Sequence, residues 1–350
     1  RVAQRHRVAE TPASWQAMKQ AQRVLEDCEM TDCRVNGVAQ IPEGRDAPVV
    51  AVAIPCYNEA VTIASVVRAF RETLPQAGVH VFDNNSTDGS AELARQAGAV
   101  IHHVTQQGKG HVVQAILETL VADALILTDG DDTYLAEDAP KLLEPVLQGN
   151  ADMVVGNRLQ EASGESLHWI RRLGNYLILG GINRMFGAKC KDILSGYRVF
   201  SRRFVETVPL LTGGFEIETE IAARAMAQHM RIVELPISYR SRPAGSESKL
   251  RAFHDGSRIM LTALSLLVSL FPMRAFGFAG LVFLLGALVI GVVLAVVPAG
   301  PTSALWVGLL CTFLALGVLA FGLGAILSAI NLRAREQAQV RRRTPDRDAV

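Results

Sequence analysis

From Val49 onward, short runs of β-branched and apolar residues alternate with stretches whose apolar positions recur at helical spacing. Val49–Ile54, Val79–Asp83, Val100–Val104, Ala124–Thr128 and Met153–Gly156 read as strands. Ala60–Thr73, Gly89–Ala97, Gly110–Val121 and Ala136–Gln148 read as the helices between them. Strands that are apolar throughout, each followed by a helix, predict an α/β fold: a Rossmann-like, mostly parallel sheet with helices on both faces. Ligands on such sheets bind at the carboxyl ends of the strands. The polar clusters fall there: Tyr57-Asn58-Glu59, Asp83 to Asp88, and Asp129 to Asp132.

Beyond residue 157 the pattern is less regular. It predicts a polar loop at 160–166, a helix over about Trp169–Phe186, a second over about Glu218–His229, a strand Ile232–Tyr239 and a basic, serine-rich loop Arg240–Lys249. Arg258–Phe271 is amphipathic, with Leu261, Leu264, Leu267, Val268 and Phe271 spaced to lie in a membrane interface or to pack on the preceding domain. Ala275–Val297 and Thr302–Ile330 are each long and apolar enough for a membrane span, with Pro298 and Pro301 breaking them into a hairpin. The expected division is an N-terminal arm (1–47), a catalytic domain (48–255), a juxtamembrane helix (256–273), two spans (274–332) and a basic tail (333–350). In the arm, Ser14–Cys28 has helical spacing, and no apolar h-region marks a signal peptide.

Composition sharpens this division. Hydrophobic residues make up 49% and charged residues 20%, as in an ordinary globular protein. The mean hydropathy of +0.23 is nevertheless high for a soluble one. The excess is local, because no Lys, Arg, Asp or Glu occurs from Ala275 to Leu332. With 35 basic and 34 acidic residues the net charge is +1, and no basic face of the kind that binds nucleic acid is visible. Arg274 and the six arginines beyond Leu332 flank the spans, while the short connection between them is uncharged. The positive-inside rule then places both termini and the catalytic domain on the cytoplasmic side of the cytoplasmic membrane. Gly280, Gly286, Gly291, Gly317, Gly322 and Gly324 suit close helix packing, within a hairpin or a homo-oligomer. The five cysteines are scattered, as expected of reduced thiols.

Asp129-Gly130-Asp131-Asp132 follows a strand directly. Its carboxylates repel one another unless a cation neutralises them, and hard oxygens suit Mg2+ or Mn2+ bridging to phosphate. A solvated acidic turn is the competing reading. Asp83 at a strand end can accept from a base or ribose, whereas Asp88 can cap the next helix. Pro55 is expected to end its strand and aim Tyr57 and Glu59 into the same crevice. Gly108-Lys109-Gly110 opens a helix, either as a phosphate contact or as a flexible cap.

Four such sites at one end of one sheet carry a resemblance. The stretches IPCYNE (54–59), DNNSTDGS (83–90), LTDGDDTY (127–134), VVGNR (154–158), DILSGYR (192–198), FEIE (215–218) and RPAGSESKL (242–250) resemble family 2 glycosyltransferases of GT-A fold, specifically the polyprenyl-phosphate (dolichyl-phosphate) sugar synthases. The resemblance covers about residues 49–255. It implies that Pro55, Tyr57, Glu59, Asp83, Asp129, Gly130, Asp131 and Lys249 hold a nucleotide-sugar donor, with Asp129 and Asp131 at the metal, Mg2+ or Mn2+. It implies that Arg158, Arg171, Arg172, Ser195 and Arg198 face the phosphate of a polyprenyl phosphate acceptor. Arg242, Ser248 and Lys249 would lie on a loop that closes over the diphosphate, and Asp131, Arg158, Arg198, Arg242 and Lys249 would act in catalysis. Members of the family can place a Gln where this chain has Thr133.

The physical chemistry is consistent with that implication. A diphosphate leaving group gathers charge that a metal, Arg and Lys stabilise. A phosphate acceptor is already anionic near neutral pH, so no His or carboxylate is expected to act as a general base. A single displacement would invert the anomeric centre. A UDP-linked donor is expected over a GDP-linked one, because the two-span layout resembles the glucosyl and amino-sugar members. A processive polysaccharide synthase would carry a Q-x-x-R-W motif, and no tryptophan here stands in one. A non-catalytic nucleotide-binding membrane scaffold would not need the full set of acids and cations.

Overall fold

Alternation within the strands shows why the sheet is sandwiched. In the strand Ala124–Leu127, Ala124 and Ile126 pack with Ile54, Val81, Phe70 and Leu142, whereas Leu125 and Leu127 pack with Phe82, Ile116, Phe200 and Ile221. Both faces are apolar, so both must be covered. Each large side chain so buried contributes about 1.5–3 kcal/mol.

The computed structural model describes residues 34–35, 38–39, 48–158, 191–243, 252–296 and 303–343. The expected helices at 14–28 and 169–186, the loop at 160–166, the break at 298–301, and Arg171, Arg172, Ser248 and Lys249 lie outside those residues. A two-residue ladder, β1 (Arg34–Val35) with β2 (Val38–Ala39), falls in the N-terminal arm. The main elements are β3 (Val50–Cys56), α1 (Ile63–Thr73), β4 (Gly78–Asp83), α2 (Ser90–Gln96), β5 (Val100–His103), α3 (Lys109–Thr119), β6 (Ala124–Leu127), α4 (Ala139–Leu147), β7 (Met153–Asn157), β8 (Arg198–Ser201), α5 (Arg202–Thr207), α6 (Ile217–Ala227) and β9 (Ile232–Pro236). The seven-stranded sheet runs β5-β4-β3-β6-β8-β7-β9. All neighbours are parallel except β8, which is antiparallel to β6 and β7. A mixed α/β sheet with helices on both faces is the expected fold. β8 and α5 are not predicted by the sequence pattern, because Arg198 interrupts an already short apolar run.

Pro55 does not end its strand, contrary to expectation. β3 continues through it to Cys56, in register with Phe82 and Asp83. The Ala53 carbonyl accepts from the Thr128 N–H and the Cys56 carbonyl from the Asn84 N–H. Alternate residues therefore face β6 and β4, and Pro55 faces the β6 side. The ladder to β6 stops at Ala53, so the missing N–H costs no hydrogen bond.

At the outer strands, His80 Nδ1 lies 3.0 Å from His102 Nε2, and His102 stacks on Phe82. Burial, then the neighbouring ring, pushes His80 down to about 4 from 6.5. Burial, then His103, lowers His102. The unfolded chain thus binds more protons below about pH 6.5. The stability from a neutral His80 is full above that pH and is lost as pH falls toward 4, roughly 3 kcal/mol in all. Melting temperature should therefore fall on acidification from pH 7.5 to 5, and His80→Gln should flatten that fall. An unchanged pH slope in the variant would show that His80 is not responsible.

The chain divides into two compact units. The first carries the sheet and runs to Ile259 among the described residues; the second begins at Met260. The second unit contains α8 (Pro272–Val296) and α9 (Ser303–Arg343), and α7 (Ala252–Leu270) leads into it. Both α8 and the apolar part of α9, Ser303–Arg333, are long and apolar enough to cross a membrane, with hydropathy of 2.9 and 2.4. Glycines let the two backbones approach: a Cβ on Gly280 would meet the Phe321 ring and one on Gly286 the Phe313 ring, each at 2.6 Å. Phe283 and Phe313 meet edge to face, and Asn331 Nδ2 donates to the Ser269 carbonyl at 2.6 Å. Phe278, Leu288, Val289, Val318 and Leu319 stay exposed, as apolar surface facing lipid would be.

Candidate functional site

Side-chain hydrogen bonds knit the loops after β3, β4 and β5 together. Asn58 Oδ1 accepts from the Thr87 N–H, Ser86 Oγ from the Asn58 N–H, and Ser90 Oγ from the Glu59 N–H. Asn84 Nδ2 donates to the carbonyls of Val104 and Gln106, while its Oδ1 accepts from the Gly108 N–H. Asp88, one residue before the N-cap Gly89 of α2, accepts from the Ser90 N–H at 3.0 Å and from the Ala60 N–H at 2.9 Å. The backbone turns these loops need are shown by the positive φ of Asn58 and Asn85, which Asn tolerates.

Asp83 stands at the end of β4, 4% exposed. Its Oδ2 takes the Ser86 N–H and lies 3.6 Å from His103 Nδ1. Its Oδ1 is buried without a hydrogen-bond partner. Such an orphan acceptor is expensive unless a ligand supplies the donor. Tyr57, at the end of the adjacent strand β3, is 40% exposed, and Glu59 is largely enclosed, 4.0 Å from Arg242 Nη1.

The acidic turn after β6 is sorted by partner rather than solvated as a whole. Asp129 Oδ1 meets Lys109 Nζ at 2.6 Å. Gly130 is wedged, since a Cβ there would lie 3.2 Å from Ile63, and its carbonyl accepts from Thr62 Oγ1 at 2.7 Å. Asp131 is buried; its Oδ1 accepts from Thr133 Oγ1 at 2.6 Å, and its Oδ2 meets Arg242 Nη2 at 2.5 Å. Thr133 thus orients Asp131 by hydrogen bond. Asp132 adopts a positive φ and turns toward Arg240, 4.0 Å away. Among the described residues, no three His, Cys, Asp or Glu side chains form a metal cage.

Arg158 is clamped. Its Nε and Nη2 donate to the two oxygens of buried Asp192 at 2.7 and 2.8 Å, and its guanidinium lies 5.6 Å from the Tyr239 ring centre. The Tyr134 hydroxyl, 3.5 Å from Arg158 Nη1, accepts from the Gly196 N–H. Burial pushes that phenol up to about 12, so it stays protonated. Gly196 abuts the turn directly: a Cβ there would come 2.5 Å from Asp129 Oδ2.

Two of the sequence-derived assignments are corrected. Arg198 is fully buried, not poised over an acceptor phosphate. Its Nε donates to the Ser195 carbonyl at 2.9 Å, and its Nη2 to the carbonyls of Glu218, at 3.0 Å, and Ile193. It staples the 193–195 segment to the start of α6. Ser195 is also fully enclosed, with its Oγ accepting from the Tyr197 N–H. Both serve the shape of the segment that carries Gly196. Burial of a cation in a central strand decides this, and no spacing rule announces it.

Sequence reasoning assigned no role to Glu218, Tyr134 or Asp192, and it left Lys109 between a phosphate contact and a flexible cap without its carboxylate partners. For Lys109 a signal existed. A lysine at the first position of a helix opposes the helix dipole and needs carboxylate partners. It has two: Asp129, and Glu218 at 2.7 Å.

Known proteins share both the sequence around this site and the fold beneath it. Residues 51–208 match the model for glycosyl transferase family 2. The chain is 38% identical over 213 residues to glycosyltransferase AglJ of Haloferax volcanii, covering 61% of this chain and 70% of that protein. It is 30% identical to a dolichyl-phosphate hexose transferase of the same organism, over 60% of this chain and 90% of the relative. To an undecaprenyl-phosphate mannosyltransferase of Micrococcus luteus it is 28% identical, over 56% and 85%. A solved structure of Mycobacterium tuberculosis glucosyl-3-phosphoglycerate synthase, in complex with Mn2+, UDP-glucose and phosphoglyceric acid, shares the fold at a TM-score of 0.55 and 19% identity, covering 75% of this chain and 86% of that one.

Proposed function

This chain belongs to glycosyl transferase family 2, and from that premise we propose that it is a membrane-bound, inverting glycosyltransferase moving a sugar from a nucleotide-sugar donor to a polyprenyl phosphate. One observation carries the reading. A buried Asp83 oxygen without a partner and the Asp129 and Asp131 carboxylates, with Lys109, Arg242 and Arg158 about them, share one end of the sheet, in a chain with two helices of membrane length. The relatives named for dolichyl and undecaprenyl phosphate add weight to the acceptor.

In this reading Asp83, Tyr57 and Glu59 hold the nucleotide, with Pro55 and Gly130 shaping the floor beneath it. Asp131 and Asp129 would hold Mg2+ or Mn2+ through their hard carboxylate oxygens. When bound, the ion offsets the charge of the departing diphosphate. Arg242 and Lys249 act on the diphosphate, and Arg242 exchanges Asp131 for phosphate oxygens. Arg158, held by Asp192, and Arg171 or Arg172 face the acceptor phosphate. A phosphate monoester is largely ionised near neutral pH, so its oxygen attacks without a base, and one displacement inverts the anomeric carbon. The apolar hairpin keeps the enzyme where the lipid acceptor resides. The sheet-bearing unit and both termini lie on the cytoplasmic side by the distribution of arginines. UDP-linked donors are favoured over GDP-linked ones, on the likeness of the two-span layout to glucosyl and amino-sugar enzymes.

The test is a donor panel. Full-length enzyme in detergent, with Mg2+ or Mn2+, UDP- and GDP-sugars and a polyprenyl phosphate, should yield an organic-soluble, mild-acid-labile sugar lipid. A polymeric product, or no lipid product from any donor, refutes the reading.

A further inference from the structure

We infer that Lys109 is a fixed internal cation that takes the place of a second divalent ion, so that the site runs on one metal plus one lysine. The inference rests on the reading of Asp131 as a metal ligand given above. Lys109 Nζ sits 2.6 Å from Asp129 Oδ1 and 2.7 Å from Glu218 Oε1, with 15% of its side chain exposed. The two acids come from different elements, the turn after β6 and the first turn of α6. Two carboxylates converging on one enclosed point repel each other unless a cation lies between them. Here that cation is covalently part of the chain and cannot be lost by dilution or chelation.

The rest of the geometry divides the labour. Asp129 gives Oδ1 to Lys109, and the missing side chain of Gly196 leaves room beside Oδ2, where a Cβ would come to 2.5 Å. Asp131 instead meets Arg242, whose side chain is one-third exposed. Asp131 would therefore hold a metal once Arg242 lets go, with Asp129 contributing at most its Oδ2, since Lys109 already offsets that carboxylate's charge. The frame around Lys109 does not depend on its charge. The Gly110 N–H donates to the Gly213 carbonyl at 3.0 Å, and Gln114 Nε2 to the Thr212 carbonyl at 2.9 Å. Glu220 separately gathers the N–H groups of Leu211 and Thr212 and the Thr212 hydroxyl. The start of α3 is thereby docked on the chain that enters α6.

Lys109→Met keeps the aliphatic stem and ends one atom short, leaving room between Asp129 and Glu218. The measurement counts Mn2+ bound per full-length chain in detergent with saturating UDP, from the electron paramagnetic resonance of free Mn2+. One ion is expected in the wild type, two in Lys109→Met, and one again in Lys109→Arg and in Lys109→Met/Glu218→Gln. If Lys109→Met does not fold in metal-free buffer, Mn2+ should restore its thermal transition and K+ should not; failure of Mn2+ to do so overturns the inference. One ion in both wild type and folded Lys109→Met overturns the inference alone. A wild type that takes up no Mn2+ with UDP overturns the metal reading of the site, and this inference with it.

Discussion

Asp131→Asn is expected to lower turnover about 10³-fold, the scale of losing one charge-stabilising group at a reacting centre. Asn matches the shape of Asp and can still accept from Thr133, so the turn should persist. What it loses is the negative charge that attracts Arg242 in the free enzyme and the hard anionic oxygen offered to a divalent ion. Melting temperature should move little, because Arg242 is partly exposed and ion pairs of that kind contribute about 1 kcal/mol or less. UDP binding should lose its dependence on Mn2+. The control is Asp132→Asn. Asp132 faces Arg240 and sits at a positive φ that Asn adopts readily, so turnover should stay within about threefold of wild type. Wild-type turnover in Asp131→Asn would remove the metal assignment, and equal losses in both variants would reduce the turn to a scaffold.

Arg198→Met should act on stability instead, lowering it by about 3–5 kcal/mol. The arginine is fully buried, and its fork donates to carbonyls of the buried residues Ser195, Ile193 and Glu218. Methionine fills much of the volume but donates nothing, so three acceptors are left wanting. Lysine does not rescue, because a single ammonium cannot span the fork. In a domain of this size the loss corresponds to a fall in melting temperature of about 10 °C. Folded variant at permissive temperature should retain a near-normal KM for the acceptor. Wild-type melting with a sharply raised acceptor KM would instead restore Arg198 to the phosphate site.

These two residues mark what could be read before the fold was seen. β3, β6 and β7 declare themselves as apolar runs bounded by polar loops, β4 and β5 as short β-branched runs, and the carboxyl-end rule then points at Asp83, Asp129 and Asp131. Partnership was not legible. DGDD contains three similar acids, yet Asp129, Asp131 and Asp132 have three different cations, drawn from α3 and from the chain after β9. Arg158 and Arg198 look alike in sequence, each a cation at one end of an apolar run; one is clamped at the edge of the site and the other is walled into the sheet. Such distinctions depend on contacts between residues tens of positions apart. Pro55 misled for the opposite reason: the local rule against proline in strands is sound, but the neighbouring strand had already turned away.

The antiparallel insertion of β8 between β6 and β7 has a consequence for how the chain is made. At synthesis rates of about 5–20 residues per second, the ribosome completes β6 roughly 4–15 s before it has delivered Arg198–Ser201. Through that interval the wholly apolar Ala-Leu-Ile-Leu strand is an open edge, able to template pairing with another chain. The nascent protein therefore passes through a sticky, half-closed sheet on every round of translation, and the window closes only when the last-arriving central strand slots in.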